Sequence, residues 1–324
     1  MKVLVAADSI TTLDIVINEM SARSWPSGTE ARVLSIVDNA DVPLKAGDEQ
    51  GFGVSAVRRE MHRRGEHISA LAVERLRKIG IPSQVIIMRG NPEFLISFAA
   101  RKWPADLILI RAHNRKDFRN RLLGSVAKSV VESAPCSVEV VRAREKPDAI
   151  SAGFRILLAT DNSAASRAAS QAIAEMSWPE DTDVRVVSVV NPMIYSFEEL
   201  GVTGAASTDY AHRAIGNAVQ ALSSARVRIS AEIIAGSAAT RQIIGRAKHW
   251  GADLIVLGTN ERRGLSRLLF GSTSAAVANR AHCSVRVIRE KDLSLTDHSV
   301  QGNSYLSLAT AESASGLQAS RKAA

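Results

Sequence analysis

The sequence predicts an α/β protein made of two tandem copies of one doubly wound domain, each built on a five-stranded parallel sheet. Three observations lead there. A set of short segments recurs in unchanged order after about 150 of the 324 residues, too long a period for a solenoid and suited to a duplicated domain. Within each half, β-branched runs of strand length alternate with longer helical patterns. The strand segments are apolar almost throughout, as strands covered on both faces are.

The repeat can be followed along the chain. Val3-Leu4-Val5-Ala6-Ala7-Asp8-Ser9 returns as Ile156-Leu157-Leu158-Ala159-Thr160-Asp161-Asn162. Met20-Ser21 and Ser24-Trp25-Pro26 are echoed by Met176-Ser177-Trp178-Pro179. Trp103-Pro104-Ala105-Asp106-Leu107-Ile108 matches Trp250-Gly251-Ala252-Asp253-Leu254-Ile255, and Gly124-Ser125 matches Gly271-Ser272. Ala134-Pro135-Cys136-Ser137-Val138 closes the first copy as Ala281-His282-Cys283-Ser284-Val285 closes the second.

Strands are expected at 3–7, 32–37, 84–88, 106–110 and 138–141, then at 155–159, 184–190, 228–235, 253–257 and 285–288. Helices are expected at 12–23, 53–79, 92–102 and 121–133, with counterparts at 163–176, 206–224, 238–249 and 266–280. Such alternation calls for right-handed crossovers and helices on both faces of the sheet. Domains are expected at 1–146 and 153–290, joined by the polar, Pro- and Gly-bearing stretch Arg144 to Gly153. Residues 291–324 are Ser-, Ala- and Thr-rich without apolar periodicity and are expected to stay disordered. Ligands of doubly wound sheets sit beyond the strands' carboxyl ends, where strand order reverses. Asp8 and Asp161 follow their first strands directly and stand at that address.

Composition removes several classes. With 46% hydrophobic and 23% charged residues, the bulk of the chain is globular. No apolar run approaches the ~20 residues of a membrane span, and the early charges of Lys2 and Asp8 do not suit a signal peptide. Two cysteines cannot make a disulfide framework, so a cytoplasmic location is expected. The net charge of +8 invites a nucleic-acid reading, as does Arg58-Arg59-Glu60-Met61-His62-Arg63-Arg64. Yet aromatic residues are only 4% and no stacking platform or helix-turn-helix is evident, so no nucleic-acid partner is expected. The histidines lack metal-ligand spacing and no metal site is expected. Cys136 and Cys283 recur at one position of the repeat, which argues for packing.

The chemistry concentrates in one loop. After its fourth strand the second copy reads Gly258-Thr259-Asn260-Glu261, then nine residues, then Gly271-Ser272-Thr273-Ser274. A glycine leaving a parallel strand permits close backbone approach, and hydroxyls beside free N–H groups at a helix start suit phosphate. Alone, a Gly-Ser turn is as well explained as a turn.

Together, Ala159-Thr160-Asp161-Asn162-Ser163, the run 251–258, the spaced Gly-Ser loop and the run 281–289 resemble the universal stress protein family in its tandem form. The resemblance covers nearly all of residues 1–290 and implies a Rossmann-like (adenine-nucleotide α-hydrolase-like) fold. Nucleotide-binding members carry Gly-x₂-Gly-x₉-Gly-Ser/Thr and bind ATP. The resemblance therefore implies that Asp161 and Val189 face a nucleoside, and that Gly258, Gly271, Ser272, Thr273 and Ser274 hold its phosphates, with Mg²⁺. Asp8, Gly124 and Ser125 are the weaker counterparts in the first copy.

Departures stand beside the matches. Glu261 occupies the second glycine position, where a carboxylate would repel polyphosphate unless a divalent cation or Arg262, Arg263 and Arg267 compensate. In the first copy Arg111 and Asn114 replace both leading glycines, and five basic residues crowd the loop. The first site reads as degenerate for ATP or altered towards another anion. Neither Asp8 nor Asp161 has a partner carboxylate or nucleophile nearby in sequence, so no catalytic residue is expected and ATP turnover would at most be slow. The charged last strands, 137–142 and 284–289, read as edges, which in the resembling family join two domains antiparallel. An intrachain pseudo-dimer is expected, with higher homo-oligomers left open. The expected function is a nucleotide-responsive regulator or protector in the stress response. The alternative is an ATP-independent interaction scaffold of the same fold.

Overall fold

The computed structural model describes residues 1–37, 52–112, 122–144, 153–191, 204–259 and 271–289. The stretch from 291 and most of the join between the copies lie outside these residues, as do Glu261 and Asn114. The first copy runs β1 (Lys2–Ala6), α1 (Ile10–Ser21), β2 (Glu30–Val37), α2 (Phe52–Lys78), β3 (Ser83–Arg89), α3 (Pro92–Lys102), β4 (Leu107–Arg111), α4 (Ser125–Ser133) and β5 (Ser137–Val141). The second runs β6 (Arg155–Ala159), α5 (Ala164–Ala174), β7 (Asp183–Val190), α6 (Gly204–Leu222), β8 (Arg228–Ala235), α7 (Ala239–Trp250), β9 (Leu254–Gly258), α8 (Ser272–Arg280) and β10 (Ser284–Ile288).

All ten strands form one sheet in the order β3-β2-β1-β4-β5-β10-β9-β6-β7-β8. Pairing is parallel within each copy and antiparallel only where β5 meets β10. Strand order therefore reverses twice, between β1 and β4 and between β6 and β9. The two copies do form a pseudo-dimer through their last strands, as the sequence suggested.

Burial explains the layers. Leu4, Leu107, Leu109, Ile156, Leu157 and Leu158 are fully buried strand residues, each such side chain contributing roughly 1.5–3 kcal/mol. On one face a single apolar core runs through both copies beneath α3, α4, α7 and α8. On the other, α1 and α2 cover a core of the first copy, and α5 and α6 a core of the second. Cys136 and Cys283 are buried in the shared core, and burial pushes the Cys283 thiol up to about 12, so neither placement favours thiolate chemistry.

Two expectations need correction. The fourth helix starts at Ser125, not 121, because Gly124 takes an extended N-cap conformation (φ −66°, ψ 164°) and residues 122–124 precede the first turn. The corresponding early start at 266 lies outside the described residues, and α8 begins at Ser272. The repeat around the first tryptophans also shifts. Trp25 Nε1 donates to the Met20 carbonyl and Trp178 Nε1 to that of Ile173, both at 2.9 Å. Thr29 and Thr182 hydroxyls bond Pro26 and Pro179 carbonyls alike. Met20 is thus the counterpart of Ile173, and Met176 that of Arg23.

Candidate functional site

The second reversal of strand order gathers the predicted residues of the second copy. Thr160 and Asp161 leave β6, Gly258 and Thr259 leave β9, and Gly271 opens α8. Thr259 ties the last two together: its hydroxyl accepts the Gly271 N–H at 2.9 Å and the Ser274 hydroxyl at 3.1 Å. Ser274 also approaches the Gly271 carbonyl at 2.9 Å and is 3% exposed, so it is committed to the helix start. Ser272 is exposed and Thr273 half-buried. Gly271 can give no side-chain cap, so the first-turn N–H groups of α8 carry their partial positive charge towards the reversal point.

Gly258 has a different physical explanation from close ligand approach. A Cβ there would lie 2.3 Å from the Ala165 carbonyl carbon and 2.5 Å from Ser166 N. The missing side chain lets the first turn of α5 rest on the end of β9. Its contribution is to bring the Asp161 turn close to the α8 start.

That turn is a built one. Ser163 caps α5 by accepting from Ser166 N at 3.2 Å, and its own N–H donates to Asp161 Oδ1 at 3.1 Å. Asn162 sits in left-handed conformation (φ 56°), which asparagine tolerates better than most residues. Its carbonyl accepts from Arg167 at 2.6 Å and its side-chain oxygen from Asn217 at 2.9 Å. Tyr210 on α6 donates to the Asp161 carbonyl at 2.5 Å. The Asp161 carboxylate remains exposed. Val189, near the end of β7, packs against the shared core and is partly buried. A groove of about 390 Å³ between α5 and α6 adjoins this turn, lined by Arg167, Gln171 and Asn217 among others, and includes none of the predicted phosphate ligands.

The first copy has the same backbone and different chemistry. Ala7 N bonds Leu34 O as Thr160 N bonds Val187 O, and Ala112 N bonds Val141 O as Thr259 N bonds Ile288 O. The counterparts of Thr160, Thr259, Thr273 and Ser274 are therefore Ala7, Ala112, Val126 and Ala127. Ala127 is buried in the shared core, with Ala112, Leu123 and Val126 packed against it. Asp8 accepts from the Thr12 hydroxyl at 2.6 Å, a bond to the first turn of α1. Ser9 caps that helix directly after Asp8, so the turn is one residue shorter than in the second copy. Arg111 stands at the Gly258 position and is partly buried. Gly124 and Ser125 open α4, with Ser125 exposed.

The described parts of the second site fit a phosphate-bearing ligand: an uncapped helix start, two accessible hydroxyls and a nearby carboxylate on a braced turn. Among the described residues no group of three His, Cys, Asp or Glu side chains could hold a metal. Also among them, no helix is long and apolar enough to cross a membrane. Reading motifs missed Thr160, Thr259, Asn162, Asn217 and Tyr210. The signal for the two threonines was present, since both repeat segments carry alanine in their place.

The model of the universal stress protein family matches residues 1–142 and again 154–289. A universal stress protein A homolog of Coxiella burnetii is 49% identical over 49 residues, 15% of this chain and 33% of that protein. One from Methanocaldococcus jannaschii is 41% identical over 64 residues, 20% of this chain and 37% of that protein. Both matches thus span about a third of those relatives. Among solved structures, a universal stress protein from Archaeoglobus fulgidus shares the fold with a TM-score of 0.60 at 18% identity, covering 89% of this chain and 98% of that one. A functionally unknown protein from Pseudomonas aeruginosa PAO1 does so with a TM-score of 0.56 at 16% identity, covering 90% and 92%.

Proposed function

The chain belongs to the universal stress protein family, and we propose that it is a nucleotide-responsive regulatory or protective protein of the stress response, with its ATP site in the second copy. The observation that carries the proposal is the Thr259 clasp, which fixes the uncapped start of α8 beside the end of β9. In this reading Ser272, Thr273 and the first-turn N–H groups take the phosphates, while Asp161 and Val189 take the nucleoside. Gly258 and Ser274 shape the site without needing to touch the ligand. Mg²⁺, if bound with the phosphates, would neutralise their charge, and Asp161 is the described carboxylate that would stand near it. In this reading the protein binds ATP and at most turns it over slowly. Two buried cysteines that form no disulfide fit a reducing compartment, and the cytoplasm is the proposed location.

A second reading applies to the first copy. With Arg111 at the glycine position and Ala112, Val126 and Ala127 packed on the core, that copy is read as an ATP-independent interaction module. Calorimetric titration of the purified full chain with Mg-ATP tests the proposal. Saturable binding is expected, and no binding up to millimolar ATP would overturn it.

A further inference from the structure

The join between the copies is charged where a sheet interior is ordinarily apolar. In the β5–β10 pair, Val138 faces Val287, Glu139 faces Arg286 and Val140 faces Val285. Glu139 and Arg286 hold the same position in the repeat, so each meets its own counterpart at the pseudo-twofold axis. The surroundings mirror this. Arg142 N donates to Ser284 Oγ and Arg289 N to Ser137 Oγ, both at 3.1 Å, while Ser24 bridges its counterpart Ser177.

The symmetry holds for the backbone and fails for the charge. Glu139 is 0% exposed and Arg286 3%. The carboxylate accepts from Arg286 Nε at 2.6 Å and from Arg23 Nη2 at 2.7 Å. The Arg23 guanidinium also lies over Trp25 and Trp178, at 5.0 and 5.8 Å. Its counterpart Met176 places a sulfur 2.8 Å from Arg286 Nη1. Glu19 of the first copy, 4% exposed, also lies 3.8 Å from Arg23. The first copy therefore contributes two acids and a base to the axis, and the second a base and a thioether.

We propose that Glu139 and Arg286 form a charge code under which only the unlike pairing of the two copies gives each buried Arg286 an acid. A second copy paired with another second copy would bury two Arg286 guanidiniums flanked by two Met176 side chains, with no acid from those positions. A first copy paired with a first copy would set Glu139 against Glu139 with both Arg23 side chains beside them, and would leave both second-copy edges without an acid. Like-with-like pairing at both edges would also leave each chain with two partners, an arrangement that can extend without closing. The code instead closes the chain on itself, its fitted partner being the other copy. This inference does not depend on nucleotide binding.

Charge reversal in the full chain tests it, read by small-angle scattering and light scattering. E139R takes away the acid shared by Arg23 and Arg286, and R286E sets a second carboxylate against Glu139. Each alone is expected to open the join and enlarge the radius of gyration. An equimolar mixture of the two is expected to form a 1:1 complex of twice the single-chain mass. The variant E19A/R23M/E139R/A172E/M176R/R286E, which exchanges these side chains between the copies, is expected to return to native compactness at single-chain mass. Single reversals as compact as the native chain, an exchange variant as open as they are, or a mixture without the complex would overturn the proposal. Should the reversals not yield soluble protein, E139Q, R286Q and their double variant decide by thermal unfolding. A double shift smaller than the sum of the single ones is expected, and additive shifts would contradict the code.

Discussion

The two points of strand reversal share a backbone and differ in what they offer a ligand. At the second, Thr259 links Gly271 and Ser274, and Ser272 is exposed and Thr273 half-buried in the first turn of the helix. At the first, the matching side chains are Ala112, Val126 and Ala127, packed on or within the apolar core. The two copies share the fold, whose burial demands are the same in both, and the first keeps Asp8, Gly124 and an exposed Ser125 while carrying apolar side chains at the other positions. A hydroxyl that no longer has a ligand or partner to meet is better replaced by a methyl group that packs. The same divergence appears at the join, where one ancestral position is now Glu139 in one copy and Arg286 in the other.

The largest effect is expected from erasing the asymmetry at the join. Burial pushes the Glu139 carboxyl up, but Arg23 and Arg286 outweigh it and hold the group below its ordinary value. Glu139→Gln leaves buried Arg286 without its carboxylate and Arg23 with only Glu19 at 3.8 Å, and is expected to cost about 3–5 kcal/mol at neutral pH. The sign with pH follows from the lowered value. The contribution of Glu139 is complete above the unfolded carboxylate range and is lost as pH falls through the lower folded value, so native and E139Q stabilities should converge in acid. Denaturant unfolding at several pH values checks both. Glu19, raised above its ordinary value mainly by burial, has the opposite dependence and remains in the variant.

Next comes the packing that Gly258 allows. Gly258→Ala puts a Cβ against the backbone of Ala165 and Ser166 and is expected to destabilise the chain by about 3 kcal/mol. Arg111→Ala in the first copy is expected to change stability little, since that copy already carries a side chain there. Urea unfolding of the two variants sets the copies directly against each other. A smaller effect, about 2 kcal/mol, is expected for Thr259→Val, which leaves the Gly271 N–H and Ser274 hydroxyl without their shared partner. Loss of helix content near α8, read by hydrogen exchange of its first turn, would accompany it.

Much of the fold was legible because it rests on periodicity. Unbroken apolar strands such as Leu107–Ile110 and Leu254–Leu257 can only be interior, and the recurrence of Trp-x-Ala-Asp before each fixes their equivalence. The start of α4 was misread because Leu122 and Leu123 continue the apolar pattern past the point where Gly124 turns the chain. At the site, Asp161, Gly271 and Ser272 were legible from spacing. The role of Gly258 was not, since close packing of α5 on β9 is a tertiary fact that leaves the same glycine in the sequence as ligand approach would. Nor was the pairing of Glu139 with Arg286, which lie 147 residues apart and meet only when the register of the last strands is known.

The central claim is that nucleotide binding belongs to the second copy alone. Titration of the native chain, Gly124→Val and Gly271→Val with Mg-ATP tests it most directly. One ATP per native chain is expected, unchanged in G124V and abolished in G271V. Two equivalents per chain, or loss of binding in G124V with binding kept in G271V, would contradict it.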